Sequence, residues 1–123
     1  MKTNWKNNFK EGKELILATS SKDGNPNANI VISLGFVGDK LLIANCLMKT
    51  TIDNLKSNHR ISIVSDINKI NGTVEIFSSG KYFEVCVERS AKISSDEVKS
   101  AILVDIKNIF DLYKAKIING GEI

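Results

Sequence analysis

Two turn signatures constrain this chain more than anything else in it. Ser21-Lys22-Asp23-Gly24-Asn25-Pro26 separates the apolar segment Leu15-Ile16-Leu17-Ala18-Thr19 from the β-branched run Asn27-Ala28-Asn29-Ile30-Val31-Ile32-Ser33-Leu34. Asp-Gly between two such segments is hairpin chemistry, because Gly accepts the positive φ that a tight reversal needs. Gly38-Asp39 then turns the chain into a third segment, Lys40 to Ala44. Parallel strands need a crossover of a dozen or more residues, and these connections are too short to supply one. The first third of the chain therefore predicts an antiparallel meander rather than a βαβ unit.

The remainder extends that pattern. Met48, Ile52 and Leu55 recur at i, i+4 and i+7, one face of a short helix, and Thr50 with Asp53 has the spacing of a capping box. Arg60 to Ser65 alternates polar and apolar like a half-buried strand. A polar turn (Asp66, Asn68, Lys69, Asn71) leads to a strand from Gly72 to Phe77. Lys81 to Arg89 reads as a helix with Phe83, Cys86 and Val87 on one side. Ala101 to Ile106 is a core strand that Asn108 to Tyr113 continues past a bend. Residues 3 to 13 read as an amphipathic helix that packs Trp5 and Phe9 on the strands, and Asn119-Gly120-Gly121 as a frayed tail. Six or so hairpin strands with helices inserted between them give a mainly β class, a closed or nearly closed antiparallel barrel with a few short helices. At 123 residues the expectation is a single domain over 1–123 with one core.

Charge and composition remove several functions. The net charge of +3 is mild, and the lysines are scattered without a basic run interleaved with aromatics, which argues against nucleic acid. No apolar stretch approaches the roughly 20 residues that span a bilayer, and the polar start lacks a signal-peptide core. Cys46 and Cys86 have no Cys-x-x-Cys spacing, so free thiols in a reducing cytoplasm are expected, with Cys46 a small buried filler. His59 is the only histidine, which leaves little material for His metal sites or Ser-His-Asp triads. Gly35-Phe36-Val37-Gly38 lacks basic neighbours and reads as a turn.

The start of the Lys49 helix is the candidate site. Its first turn combines unpaired backbone N–H groups, the hydroxyls of Thr50 and Thr51, and the ammonium of Lys49. Free donors and the helix dipole both favour negative charge there, and the added cation suits a phosphate monoester. Taken alone, the same residues are also those of a solvated lysine beside an ordinary helix start. Asn29, inside an apolar strand, offers both donor and acceptor, to a ligand or to a neighbouring loop.

The ordered set of these parts resembles the pyridoxamine 5′-phosphate oxidase-like family, the FMN-binding split β-barrels, and in size its small FMN-binding proteins. The matching residues are Leu17-Ala18-Thr19, Asp23-Gly24-Asn25-Pro26, Asn29-Ile30-Val31, Ile43-Ala44-Asn45, Met48-Lys49-Thr50, Asn54-Leu55-Lys56-Ser57-Asn58 and Gly72-Thr73-Val74-Glu75. The resemblance implies an antiparallel split barrel that forms a homodimer, with FMN in each of two clefts at the subunit interface. It implies phosphate at Lys49, Thr50 and Thr51, the flavin ring along Asn29, Ile30 and Val31, and Ala44 and Asn45 on the other side. Three departures stand out. The Asn-Pro usual after this helix is Asn58-His59, and relatives often carry an Arg or second Lys where this chain has Thr50 and Thr51. The oxidase proper is longer, with substrate-phosphate residues in a C-terminal segment that has no counterpart up to Ile123, so pyridoxamine oxidation itself is not expected.

The function this predicts is an FMN-dependent oxidoreductase or electron carrier, with a small-molecule or protein redox partner. No side chain stands out as a general acid or base, which fits electron or hydride transfer through the ring itself. The alternatives are a same-fold module for heme or a deazaflavin, and a cofactor-less barrel that serves as an assembly partner. A dimer is also expected from the strands themselves. Leu15 to Ala18, Ile30 to Leu34 and Leu41 to Ala44 carry apolar residues on both faces, and a small barrel buries only one face inside.

Overall fold

The computed structural model of the protein describes residues 4–118; the tail expected to fray, 119–121, lies outside them. Eight strands form one antiparallel sheet: β1 (Glu14–Ser20), β2 (Pro26–Ile32), β3 (Phe36–Val37), β4 (Lys40–Asn45), β5 (Arg60–Ser65), β6 (Asn68–Phe77), β7 (Ser100–Asp111) and β8 (Lys116–Ile118). Two helices, α1 (Thr50–Ser57) and α2 (Lys81–Ser90), are inserted between strands. The order across the sheet is β2-β1-β5-β6-β7-β4-β3, with β8 on β7. Strand pairing does not close this sheet into a ring, so it is a split barrel. The Ser33 N–H donates to Lys13 O and Ser33 O accepts from the Gly12 N–H, extending the β1–β2 ladder, and across the gap the Leu34 N–H donates to Leu42 O and the Leu42 N–H to Gly35 O.

The first turn forms as its residues dictate. Gly24 has φ 88°, and the Ser21 hydroxyl oxygen accepts the Asp23 and Asn25 N–H groups, so β1 and β2 pair from Glu14↔Ile32 to Ser20↔Pro26. The second turn forms too, but it closes a different hairpin. Gly38, with φ 65°, reverses β3 into β4, while β2 lies at the opposite end of the strand order. The expected meander is thus broken after β2, where Ser33-Leu34-Gly35 carries the chain across the gap to β4.

Four further expectations shift. The N-terminal segment is a short 3₁₀ helix, Trp5–Phe9, not a helix over 3–13, although Trp5 and Phe9 are buried against the barrel as expected, with Trp5 edge-on to Phe36. The polar turn at Asn68, Lys69 and Asn71 is already strand: Asn68 is fully buried, donating to Phe110 O and accepting from Asn8 Nδ2. The bend near Asn108 is a bulge, since Asn71 pairs with Asn108 but Gly72 with Ile106, leaving Lys107 extra within an unbroken β7. The capping box does not form. Lys49 occupies the cap position of α1, without a side-chain cap bond, and Thr50 is the first helical residue.

Alternation places Leu15 and Leu17 of β1, Ile61 and Ile63 of β5, Ile70 and Val74 of β6 and Ile102 and Val104 of β7 inside the barrel, with Ile52 and Leu55 of α1. Strands β4 and β7 are apolar on both faces. Leu42, Ala101 and Leu103 form a second cluster with Cys86 of α2, so that helix covers their outer side. Nothing comparable covers β1 and β2 among the described residues, where Ile16 is 46% and Ile30 65% exposed.

Candidate functional site

The seam between α1 and β2 is built from three polar side chains. The Thr51 hydroxyl donates to Asn29 Oδ1 at 2.8 Å and accepts from Asn27 Nδ2 at 3.1 Å. One turn on, Asn54 Nδ2 donates to the Thr19 hydroxyl at 3.1 Å, tying the helix to β1 as well. β2 contributes no fully buried residue, so these bonds, with Val31 against the core, hold it to the helix.

Beside this seam opens a cleft of about 320 Å³. Its walls are Asn29, Ile30, Val31 and Ile32 of β2, Leu34, Ala44 of β4, and Cys46, Leu47 and Met48 of the loop into α1. Its far edge is Ser90, Ile93, Ser94 and Asp96, at the end of α2 and beyond. Apolar walls with a few polar groups at the edges suit a flat organic ring.

Of the eight residues that the sequence singled out, Asn29, Ile30, Val31 and Ala44 come together in this cleft. Asn45 does not line it. Buried instead, it donates from Nδ2 to the Ser100 hydroxyl at 3.0 Å and accepts the Met48 N–H at Oδ1, which sets the turn presenting residues 46–48. Lys49 and Thr50 are exposed at the start of α1, directly after Met48, while Thr51 is buried and its hydroxyl is engaged in the seam. The α1 ladder begins with Asp53 N–H donating to Lys49 O, so the preceding N–H groups of the first turn make no bond within the helix.

The α2 edge went unread in the sequence. Ser90, Ile93, Ser94 and Asp96 carry no periodicity, and only the Ser/Asp composition after a helix hinted at a polar loop. Both cysteines are free. Cys46 is half-buried on the cleft wall, whereas Cys86 is buried beneath it, where burial first and the neighbouring Cys46 second push its thiol up to about 12. No group of three or more His, Cys, Asp or Glu able to hold a metal occurs among the described residues, and none of their helices is long and apolar enough to cross a membrane.

Comparison with known proteins places this geometry. The family model described as pyridoxamine 5′-phosphate oxidase matches residues 1–112. No curated protein matches the chain. Among solved structures, HupZ of Group A Streptococcus superimposes with a TM-score of 0.84 at 20% identity, over 97% of this chain and 100% of that one. An F420 reductase gives 0.69 at 17% identity, covering 90% and 99%. An FMN-binding protein from Syntrophomonas wolfei subsp. wolfei gives 0.64 at 19% identity, covering 78% and 74%. At such identities the structural likeness concerns the fold alone.

Proposed function

Because the chain belongs to the pyridoxamine 5′-phosphate oxidase family, we propose that it is an FMN-binding flavoprotein, working as an oxidoreductase or electron carrier. The observation that carries this reading is continuity. The wall of the cleft runs through Cys46, Leu47 and Met48 straight into Lys49 and the free N–H groups of α1. A planar ring beside Ala44 and Ile30 would thus have its phosphate tail within reach of a cation and a helix start. The structurally similar FMN-binding protein from Syntrophomonas wolfei supports the choice of cofactor.

When bound, FMN supplies a ring that takes up and releases electrons. The chain's own residues have three tasks. Val31 and Ala44 give the ring an apolar wall and keep water from it. Lys49 and Thr50 hold the phosphate, by charge and by N–H and hydroxyl donors. Thr51 fixes Asn29, and with it the distance between the ring wall and the phosphate end.

The same proposal includes a homodimer. Ile30 of β2 is paired with Ile16 of β1, Ile16 with Val64 of β5, Val64 with Lys69 of β6, and Lys69 with Phe110 of β7. This row crosses the outer face of the sheet, and Lys69 lays its ammonium 4.5 Å from the Phe110 ring centre. Ile30 belongs both to the row and to the cleft wall. A second copy seated on the row would therefore close the open side of the cleft. A nicotinamide or a redox protein as electron partner, and a cytoplasmic location, complete the proposal.

A second reading, a deazaflavin in the same cleft, has the F420 reductase among the structural relatives in its favour. Titrating the protein with FMN, with a deazaflavin phosphate and with heme separates these ligands by fluorescence quenching and by the Soret band. FMN quenching, weakened about ten- to a hundredfold in Lys49→Ala as one charge-assisted phosphate contact is lost, is the expected result. Preference for the deazaflavin or heme, or no binding at all, would overturn the FMN assignment.

A further inference from the structure

The cleft has two ends, and the fold fixes both. At one, Thr51 of α1 holds Asn29 of β2. At the other, Arg89 of α2 donates from Nη1 to Leu34 O at 2.8 Å and to Phe36 O at 3.0 Å, which pins the end of that helix beside the chain leaving β2. Between them β2 advances about 3.3 Å per residue, so Ile32 stands about 10 Å from Asn29. Ser90 follows Arg89 and lines the cleft at this second end, with Ile93, Ser94 and Asp96.

Ser90 is 3% exposed. Among the described residues its hydroxyl makes no hydrogen bond. A helical serine ordinarily donates to a carbonyl about one turn back, as Ser57 of α1 does to Asn54 O at 3.2 Å, and Ser90 does not. Its own carbonyl is spent on the Ile93 and Ser94 N–H groups, each at 3.0 Å, so the hydroxyl alone is left over. No fully enclosed side-chain N or O atom among the described residues lacks a partner. The Ser90 hydroxyl is therefore the part of this residue that stays accessible, and the space it reaches is the cleft. The other polar groups of the edge differ. Ser94 Oγ already accepts the Asp96 N–H at 3.0 Å, and Asp96 is exposed. A donor as buried as Ser90 costs stability unless a ligand answers it.

We propose that the Ser90 hydroxyl donates to N5 of the ring, and that this bond makes the cleft select a flavin over a 5-deazaflavin. The inference rests on the reading of the cleft as a flavin site. The tail of FMN leaves the ring at N10, and the atom across the central ring from N10 is N5, an acceptor when the ring is oxidised. With the phosphate at Lys49, that edge turns toward α2. A 5-deazaflavin carries C–H where a flavin carries N5, so the hydroxyl would there be buried against a group that accepts nothing. Sites reject most strongly an analogue that leaves one of their buried polar groups unpaired. Ser90 stands on the α2 side of the cleft, so a second copy seated on the Ile16 row leaves it in place.

The test uses the full-length protein and two ligands that differ in one atom of the ring, FMN and 5-deazariboflavin 5′-phosphate, titrated by calorimetry. The wild type should bind FMN about tenfold more tightly, and Ser90→Ala should bring the two ligands within about twofold of each other. Ser90→Ala should keep the Tm of the wild type and its preference for FMN over riboflavin, which reads the phosphate end. ¹⁵N-enriched FMN on the wild type gives a reading that needs no variant: hydrogen bonding moves the N5 signal upfield of its position in an aprotic solvent. Equal affinity of the wild type for the two ligands, a preference that survives Ser90→Ala, or an N5 signal at the aprotic position would overturn the proposal and leave FMN binding standing. Failure to bind FMN would overturn the flavin reading, and this inference with it.

Discussion

Replacing Thr51 by Val removes the hydroxyl that joins α1 to β2 and keeps the shape of the side chain. Two hydrogen bonds go with it, to Asn29 Oδ1 and from Asn27 Nδ2. At about 1 kcal/mol net for each bond, the full loss is about 2 kcal/mol. Two effects reduce it. Asn27 and Asn29 are half-buried, so water can recover part of the bonding they lose. Thr51 is only 3% exposed, so the methyl that replaces the hydroxyl is buried, which returns up to about 0.8 kcal/mol. The expected net cost is therefore about 1 kcal/mol, which for a chain of this size lowers Tm by roughly 4 °C. A double-mutant cycle with Asn29→Ala isolates the bond. Chemical denaturation of the four proteins should give a coupling of about 0.5–1.5 kcal/mol, the range for residues in direct contact. Additivity within about 0.3 kcal/mol would refute the view that this bond fixes the distance between the helix start and the ring wall.

Three other outcomes are expected. Gly72→Ala drives a Cβ into the backbone oxygen of Asp105 in the neighbouring strand, so it should destabilise by about 1–3 kcal/mol in a denaturant melt, toward the upper end because a ladder carbonyl cannot yield. Cys86 links stability to alkaline pH: its folded value of about 12 exceeds the unfolded 9.0, so its contribution is intact below about pH 9 and is lost as pH rises toward 12, and urea melts of Cys86→Ala should fall less steeply over that window. Ile16→Glu, in the centre of the exposed row, should convert a dimer to a monomer by light scattering and weaken FMN binding, with the melt of the fold itself little altered because Ile16 is 46% exposed.

What was legible in the sequence was local. The β1–β2 hairpin follows from Asp23-Gly24, and α2 from Phe83 and Cys86 on its inner side, although Val87, expected beside them, is exposed. The cleft's β2 wall and Ala44 were placed by the family resemblance, which the order of turns and helix start carries. Pairing between distant segments was not legible. Asn68 reads as a turn residue until its partners are known, and these are Asn8 and the Phe110 carbonyl, 60 and 42 positions away. Gly38-Asp39 marks a turn but not which strand β4 goes on to pair with, and the answer, β7, lies about sixty residues downstream. The capping box failed for a similar reason. Asn45 directs its carbonyl to the Met48 N–H, and Lys49 takes the cap position that Thr50 would otherwise occupy. Which outer face a helix would cover was not legible either: α2 lies over the outer side of Leu41 to Ala44, and among the described residues that of Ile16 and Ile30 stays open.

The affinity ratio of riboflavin to FMN tests the central claim most directly. The two ligands share a ring and differ in the phosphate, so the ratio reads the contribution of Lys49 and the α1 start alone. A charge-assisted phosphate contact of about 1.5–3 kcal/mol predicts FMN binding about ten- to a hundredfold more tightly, by fluorescence titration at low salt. Equal affinities would contradict the account, because the cleft would then hold the ring without using the helix start that leads out of it.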